Sequence, residues 1–141
     1  MDNATTDNLG TFIAKYGITC RCMRDFYHRN LEDGDVRHND RYRRHYRAVL
    51  SCDGRRLAVP FTMGSATEGA PTTRDVLACL ILDAQGANGK TFEEWANEYG
   101  YDDDSRRAEK VYNECKRTIC RLCTLLGDVA WRAAVAMDVD R

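Results

Sequence analysis

Hydrophobic residues at steps of three and four predict the longest helix of the chain at 105–126. The apolar positions are Ala108, Val111, Tyr112, Cys115, Ile119, Leu122 and Leu126. They line one side of a helix with about 3.6 residues per turn. Three aspartates at 102–104 precede the first turn, where carboxylates can accept hydrogen bonds from free N–H groups. Gly127 is expected to end the helix in a left-handed conformation. We expect the rest of the chain to pack on this amphipathic helix.

Alternation of apolar and polar residues predicts strands at 18–23, 45–52 and 57–63. Asp53-Gly54 separates the last two strands and is the strongest short signal for a β-hairpin. Pro60 cannot donate a hydrogen bond to a strand ladder, so the third strand is expected at a sheet edge or at a bulge.

Capping residues and apolar spacing predict four further helices. Their ranges are 7–16, 72–85, 91–99 and 128–137. Thr72 with Asp75, and Thr91 with Glu94, have the spacing of capping boxes. The region 86–89, which contains Gly86 and Gly89, is expected to end the helix at 72–85. Asp128 is expected to cap the last helix. Apolar surface on the last helix would come from Val129, Trp131, Val135 and Met137.

The order of helix, strands and helices predicts an α+β fold: a small antiparallel sheet of about three strands, packed against a C-terminal helical bundle with one long helix. A length of 141 residues fits a single domain, 1–141. The apolar share of 43% and the charged share of 30% disfavour disordered and fibrous classes. No apolar run approaches the roughly 20 residues that span a bilayer. The first ten residues are polar and acidic, so we expect a cytoplasmic protein without an export signal.

Seven cysteines, an odd number, indicate reduced thiols rather than a disulfide framework. The pattern closest to a metal motif is Cys120-x-x-Cys123, preceded by Cys115. On the helical wheel Cys115 lies in the apolar stripe, Cys123 borders it and Cys120 points away, so the three do not converge. We predict buried or half-exposed thiols, with no metal and no cofactor. A zinc site and one reactive thiol remain the less favoured alternatives.

The sequence contains no nucleophile elbow, no phosphate-binding glycine pattern and no recognisable carboxylate pair. The three histidines, His28, His38 and His45, lie in or beside a basic segment and are interpreted as surface residues. We therefore predict no catalytic residues and a protein that is not an enzyme.

Charge is unevenly distributed along the chain. Residues 20–60 contain ten arginines and six acids, a net of +4, whereas residues 83–114 contain nine acids and four bases, a net of −5. The acidic and aromatic residues of the second region form the predicted partner-binding surface: Glu93, Glu94, Trp95, Glu98, Tyr99, Tyr101, Asp102, Asp103 and Asp104. Such a surface could dock on a basic groove, with aromatic side chains as anchors. A solvated helical face is the alternative interpretation.

A second candidate surface is the arginine-rich segment 37–47, which overlaps the end of a polar segment, 27–41, predicted to be a long exposed loop. Its arginines are Arg37, Arg41, Arg43, Arg44 and Arg47. Arginine forms bidentate pairs with phosphate, and the interleaved tyrosines can stack on bases, so the segment suits nucleic acid. A solvated strand end is equally consistent with this composition.

Three stretches from residue 44 onward carry a family resemblance. They are VPFTMG at 59–64, PTTRDVLACL at 71–80 and TFEEWANEYGYDDDSRRAEKVYNECKRTICRLCTLLGD at 91–128. The chain resembles a group of small uncharacterised proteins of bacteriophages and mobile elements over about two thirds of its length. This resemblance implies a role in the host cytoplasm during infection, and anti-CRISPR proteins are the favoured class. It transfers no catalytic signature.

These observations together predict a non-enzymatic phage or prophage protein that inhibits host defence. The predicted partner is a host protein or ribonucleoprotein effector, with a CRISPR–Cas effector first, and the protein is expected to be a monomer or weak dimer. The alternative is a small nucleic-acid-binding regulator that uses the segment 37–47. An assembly accessory of the phage particle is the third hypothesis.

Overall fold

The computed structural model describes residues 7–24, 43–64 and 69–140. Over these residues the chain forms a three-stranded antiparallel sheet and five helices, which confirms the predicted α+β class. The helices are α1 (Asn8–Tyr16), α2 (Thr73–Ala87), α3 (Phe92–Tyr99), α4 (Arg106–Leu126) and α5 (Asp128–Ala136). The strands are β1 (Thr19–Arg24), β2 (Arg43–Cys52) and β3 (Arg55–Gly64). The predicted loop at 27–41 lies outside the described residues.

The sheet has the order β1-β2-β3, with both pairs antiparallel. Asp53 and Gly54 join β2 to β3 with φ values of 51° and 79°, the positive pair that a type I′ hairpin turn requires. Pro60 lies opposite Arg47 in the edge strand β3. The edge position confirms the prediction for Pro60, because an edge residue can lack an N–H without breaking the sheet.

One face of the sheet forms the main hydrophobic core with the helices. Ala48 and Leu50 of β2 are fully buried, and they cluster with Leu77 of α2 and Leu122 of α4. Because neighbouring residues in a strand point to opposite faces, the intervening residues of β2 lie on the outer face. The helices therefore cover the inner face of the sheet. None of the helices within 7–24, 43–64 and 69–140 combines the length and apolarity needed to cross a membrane.

Local capping explains where most helices begin. Thr72 with Asp75, and Thr91 with Glu94, form the two predicted capping boxes, each with both reciprocal hydrogen bonds. At α4 the cap is Ser105, whose side chain accepts from the Ala108 N–H at 3.2 Å. The prediction that the aspartates at 102–104 accept hydrogen bonds from the free N–H groups of this first turn is therefore wrong. They occupy the turn before the helix.

The junction between α4 and α5 is a single residue, Gly127. Its φ of 82° and ψ of 168° are not the left-handed values that were predicted, but an extended positive-φ conformation that is essentially restricted to glycine. This conformation ends α4 and starts α5 at once, so Asp128 is the first helical residue and makes no capping hydrogen bond. The buried residues of α5 are Ala130 and Ala134, whereas Val129 is 72% exposed, contrary to its predicted core role.

Two long side chains from distant elements satisfy the carbonyl groups at the ends of α4 and α5. Arg55 of β3 donates from Nε to the Leu125 carbonyl at 2.8 Å and from Nη2 to the Leu126 carbonyl at 3.2 Å. Gln85 of α2 donates from Nε2 to the carbonyls of Ala134 and Met137 at 2.9 and 2.7 Å. Carbonyls at a helix C-terminus lack intrahelical partners, so these contacts fix the two helix ends to the sheet and to α2.

We expect Arg55→Met to lower the free energy of unfolding by about 1–2 kcal/mol, because it removes two hydrogen bonds from a charged donor at a partly exposed site. The neighbouring Arg56 is exposed, so Arg56→Met is a matched control with an expected change below about 0.5 kcal/mol. Urea denaturation followed by circular dichroism measures both. Equal unfolding midpoints for the two variants would show that the Arg55 contacts do not stabilise the fold.

Candidate partner-binding site

Trp95 lies at the centre of a second hydrophobic cluster, which joins α3 to α4 and to the end of α2. Only 4% of its surface is exposed. Its ring stacks on Tyr101, with centroids 4.9 Å apart and planes 9° from parallel, and lies 5.9 Å from the ring of Tyr99. Phe92 and Tyr112 also pack on Trp95, with centroids at 6.3 and 5.5 Å. The buried indole thus fixes the positions of two exposed tyrosines.

A cleft of about 420 Å³ opens beside Trp95, between α2, α3 and α4. We call it the aromatic cleft, and its lining residues are Leu82, Asp83, Gly86, Trp95, Tyr99, Tyr101, Val111 and Cys115. Four of the lining side chains are large, apolar and exposed: Tyr99 at 50%, Leu82 at 46%, Tyr101 at 42% and Val111 at 37%. Apolar side chains grouped around a concave surface are typical of binding sites.

Gly86 makes room for Tyr99 at this cleft. Helix α2 continues through Gly86 to Ala87 and has Asn88 as its C-cap, so it ends within the predicted region, 86–89. A Cβ atom added at Gly86 would lie 2.9 Å from the Tyr99 hydroxyl oxygen, which is too close for an unshifted contact. Glycine inside a helix lowers the stability of the helix by about 1 kcal/mol relative to alanine. At position 86 the absence of a Cβ atom leaves space for the ring of Tyr99.

Asp83 places a carboxylate in the lining of the aromatic cleft. Partial desolvation by its neighbours raises the pKa of Asp83. Burial, with the Asp83 charge as a further cause, raises the pKa of Cys115 to about 11. Within the part of the chain that the structure describes, the Asp83 side chain forms no ion pair or hydrogen bond. The cleft therefore contains a negative charge that no cation of these residues neutralises.

The predicted acidic residues lie in α3 and in the turn before α4, next to Trp95, Tyr99 and Tyr101 in the chain, and all of them are exposed; we call them the rim. Three have local partners: Glu94 completes the capping box, Glu98 pairs with Lys90, and Asp102 accepts from the Asp104 N–H at 3.0 Å. The hydrogen bond that Lys90 donates to the Glu98 carboxylate raises the pKa of Lys90. Glu93 and Asp103 add further negative charge. The rim is not uniformly acidic, because helical spacing places the exposed Arg107 one turn before Val111.

Of the nine predicted contact residues, Trp95 has a different role from the others. Its ring is buried, so it supports the surface and lines the cleft, and it cannot project toward a partner as an anchor. Tyr99 and Tyr101 retain the exposure that an anchor requires. The structure therefore brings the three predicted aromatic residues together at one cleft, with Trp95 beneath the two exposed tyrosines.

Among the described residues, the one grouping of potential metal ligands is Asp102, Asp103 and Asp104, whose carboxylates lie within 4.8 Å of one another. These side chains are exposed and lie in the turn before α4. The thiols of the predicted motif are divided as expected: Cys115 is buried, Cys123 is partly buried and Cys120 is exposed.

Two further cysteines, Cys20 and Cys22, share a face of β1 with their sulfur atoms 3.8 Å apart. Burial, with the neighbouring Cys22 as a further cause, raises the pKa of Cys20 to about 12. At neutral pH the Cys20 thiol, like that of Cys115, is therefore protonated. The raised pKa lowers the fraction of the nucleophilic thiolate at neutral pH.

The arginine-rich segment does not form one surface in the structure. Arg37 and Arg41 lie outside the described residues, and only the backbone of Arg43 is described. Strand alternation places Arg44 on the inner face, where it is partly buried, and Arg47 on the outer face, where it is exposed. Arg47 instead shares the outer face with two other exposed arginines, Arg21 of β1 and Arg56 of β3. We call these three residues the outer arginine face.

Comparison with protein-family models, with curated proteins and with solved structures finds no match for this chain. The interpretation of the aromatic cleft consequently depends on its geometry and charge. Sequence reasoning missed five of its lining residues: Leu82, Asp83, Gly86, Val111 and Cys115. One signal was available, because Leu82, Asp83 and Gly86 follow helical spacing on one side of α2 and combine an apolar side chain, an acid and a glycine.

Proposed function

We propose that this protein is a non-enzymatic binding protein that inhibits a host defence effector, and that the aromatic cleft with its acidic rim is the contact surface. One observation carries this proposal: four large apolar side chains remain exposed around the cleft, beside six exposed acids. Tyrosines in such a setting supply much of the affinity of protein interfaces, whereas charges at the rim direct association.

The resemblance to bacteriophage proteins favours a protein or nucleoprotein effector of the host, with a CRISPR–Cas effector first. Effectors of this class hold nucleic acid in a positively charged channel. An acidic surface is attracted to such a channel for the same electrostatic reason as a phosphate backbone. Occupation of the channel would prevent nucleic acid from binding, so inhibition on this account requires no chemical step.

The test uses bacterial strains that each carry one type of CRISPR–Cas effector directed against the same phage. Expression of the protein is expected to restore plaque formation in at least one strain, and to have no effect in a strain without the effector. Failure to restore plaques with every effector type would reject inhibition of CRISPR–Cas systems. The effector identified in this way then becomes the ligand for binding measurements with purified protein.

Reversal of two rim charges is expected to weaken effector binding. Glu93→Lys with Asp103→Lys spares Glu94 and Asp102, which stabilise the helix cap and the turn. We expect a loss of affinity of about tenfold or more, mainly through slower association. Asp128→Lys with Asp140→Lys makes the same change in net charge at exposed positions outside the cleft. Equal affinities for the two double variants would mean that net charge, and not this surface, controls binding.

The outer arginine face supports a second candidate function, binding of nucleic acid. Its three arginines are exposed on three adjacent strands, and guanidinium groups pair well with phosphate. Binding that weakens steeply with salt would support this function, and Arg47→Gln with Arg56→Gln should then reduce the salt dependence. Absence of binding to single-stranded or duplex nucleic acid at low salt would reject it.

A further inference from the structure

We propose that the aromatic cleft receives an arginine side chain of the partner, with Asp83 as its counter-ion. This inference rests on the proposed function, because it specifies the chemistry of the partner at the same surface.

The aromatic rings of the cleft suit a planar cation. Trp95 and Tyr101 lie nearly parallel, 9° apart, and Tyr99 lies beside them at 5.9 Å from Trp95. A guanidinium group stacks on such rings and is attracted to their electron-rich faces. The volume of about 420 Å³ accommodates a long side chain without a change in the backbone. The exposed rings of Tyr99 and Tyr101 thus offer faces on which a planar guanidinium group can stack.

The charge of Asp83 selects a cation over an apolar group. Asp83 is exposed, and an apolar ligand in the cleft would cover its carboxylate without supplying a hydrogen bond or a positive charge, which is unfavourable. An arginine would instead supply the missing positive charge and two N–H groups for the carboxylate oxygens. The raised pKa of Asp83 agrees with this view, because its present surroundings disfavour the ionised form.

Lys90 provides an example of the same chemistry within the protein. Its ammonium group lies 5.5 Å from the centroid of the Tyr99 ring and pairs with Glu98. A cation placed over an aromatic ring and beside a carboxylate is therefore already part of this region. The proposed arginine would repeat that arrangement on the cleft side, with Asp83 in the role of Glu98.

The experiment measures binding of N-acetylarginine amide and of N-acetylcitrulline amide, a neutral analogue of nearly the same shape. Trp131→Phe leaves Trp95 as the single tryptophan, so its fluorescence reports on the cleft. We expect a dissociation constant for the arginine compound on the order of 1 mM, as befits a ligand of this size. The citrulline compound should bind about fivefold more weakly or worse.

Asp83→Asn is expected to abolish this discrimination, so that the two compounds bind within about twofold of each other. Asp140→Asn, at an exposed position outside the cleft, should preserve it. Asp83→Asn should also be at least as stable as the parent at pH 7, because it removes an ionised group that its surroundings disfavour. Equal binding of both compounds to the parent protein, or discrimination that survives Asp83→Asn, would overturn the proposal. Neither result affects the plaque assay, which tests inhibition separately.

Discussion

Replacement of Trp95 by alanine is expected to lower the free energy of unfolding by about 3–5 kcal/mol. The indole is 4% exposed and contacts four other aromatic rings, so its loss leaves a large cavity between α3 and α4. Deletion of a buried aromatic side chain removes both its apolar burial and the packing around it. Urea denaturation followed by far-ultraviolet circular dichroism measures the change.

Trp131→Ala is the control for this prediction. Trp131 is partly buried at the edge of the main core, so we expect a loss of about half that size. Trp95→Phe should recover part of the stability, because it restores an aromatic ring to the cluster. A Trp95→Ala variant within about 1 kcal/mol of the parent would contradict the role of Trp95 as the support of the exposed tyrosines.

The second large effect concerns binding. Tyr99→Ala with Tyr101→Ala is expected to reduce affinity for the effector by about 100-fold or more, as truncation of two aromatic anchors does in other interfaces. Their exposures of 50% and 42% mean that the loss of stability should be smaller than for Trp95→Ala. Biolayer interferometry with the effector identified by the plaque assay measures the affinity, and circular dichroism confirms that the variant is folded.

Val129→Ala is the matched control for the tyrosine variant, because Val129 is an exposed apolar residue that does not line the cleft. Its affinity should equal that of the parent. Gly86→Ala offers a second approach, since the added methyl group displaces Tyr99 without removing any aromatic ring. Gly86→Ala should weaken binding of the effector. The higher helix propensity of alanine should at the same time stabilise α2 by about 1 kcal/mol relative to glycine. Full affinity of the double tyrosine variant would exclude the aromatic cleft as the contact surface.

Features that depend on neighbouring residues in the chain were predictable from the sequence. The two capping boxes at Thr72 and Thr91 and the turn at Asp53-Gly54 occur where their patterns indicated. Each of these signals is local, because the groups that it pairs lie within three residues of one another. The α+β class followed from the order of such segments.

The aromatic cleft was only partly predictable because it combines residues from three helices. Tyr99 and Tyr101 were identified through their acidic surroundings, but Val111 was assigned to the buried stripe of α4. Its exposure of 37% results from the position of α3, which covers Cys115 and leaves the preceding turn open. Helical periodicity predicts which side of a helix is apolar, and it does not predict how far a neighbouring helix extends over that side.

The outer arginine face was also only partly predictable from the sequence. Sequence proximity grouped Arg44 with Arg47, whereas strand alternation separates them and brings Arg47 onto the face that carries Arg21 and Arg56. The strand itself was predicted. Its register with β1 and β3, which decides the neighbours of Arg47 across the sheet, depends on long-range pairing that the local pattern does not contain.

Hydrogen–deuterium exchange of the protein, alone and in complex with its effector, tests most directly which surface makes the contact. We expect slower exchange on binding in the segments 79–87 and 92–115, which carry the aromatic cleft and its rim. Exchange in β1, β2 and β3 should not change. Protection confined to the three strands, with the cleft segments unchanged, would exclude the aromatic cleft as the contact surface.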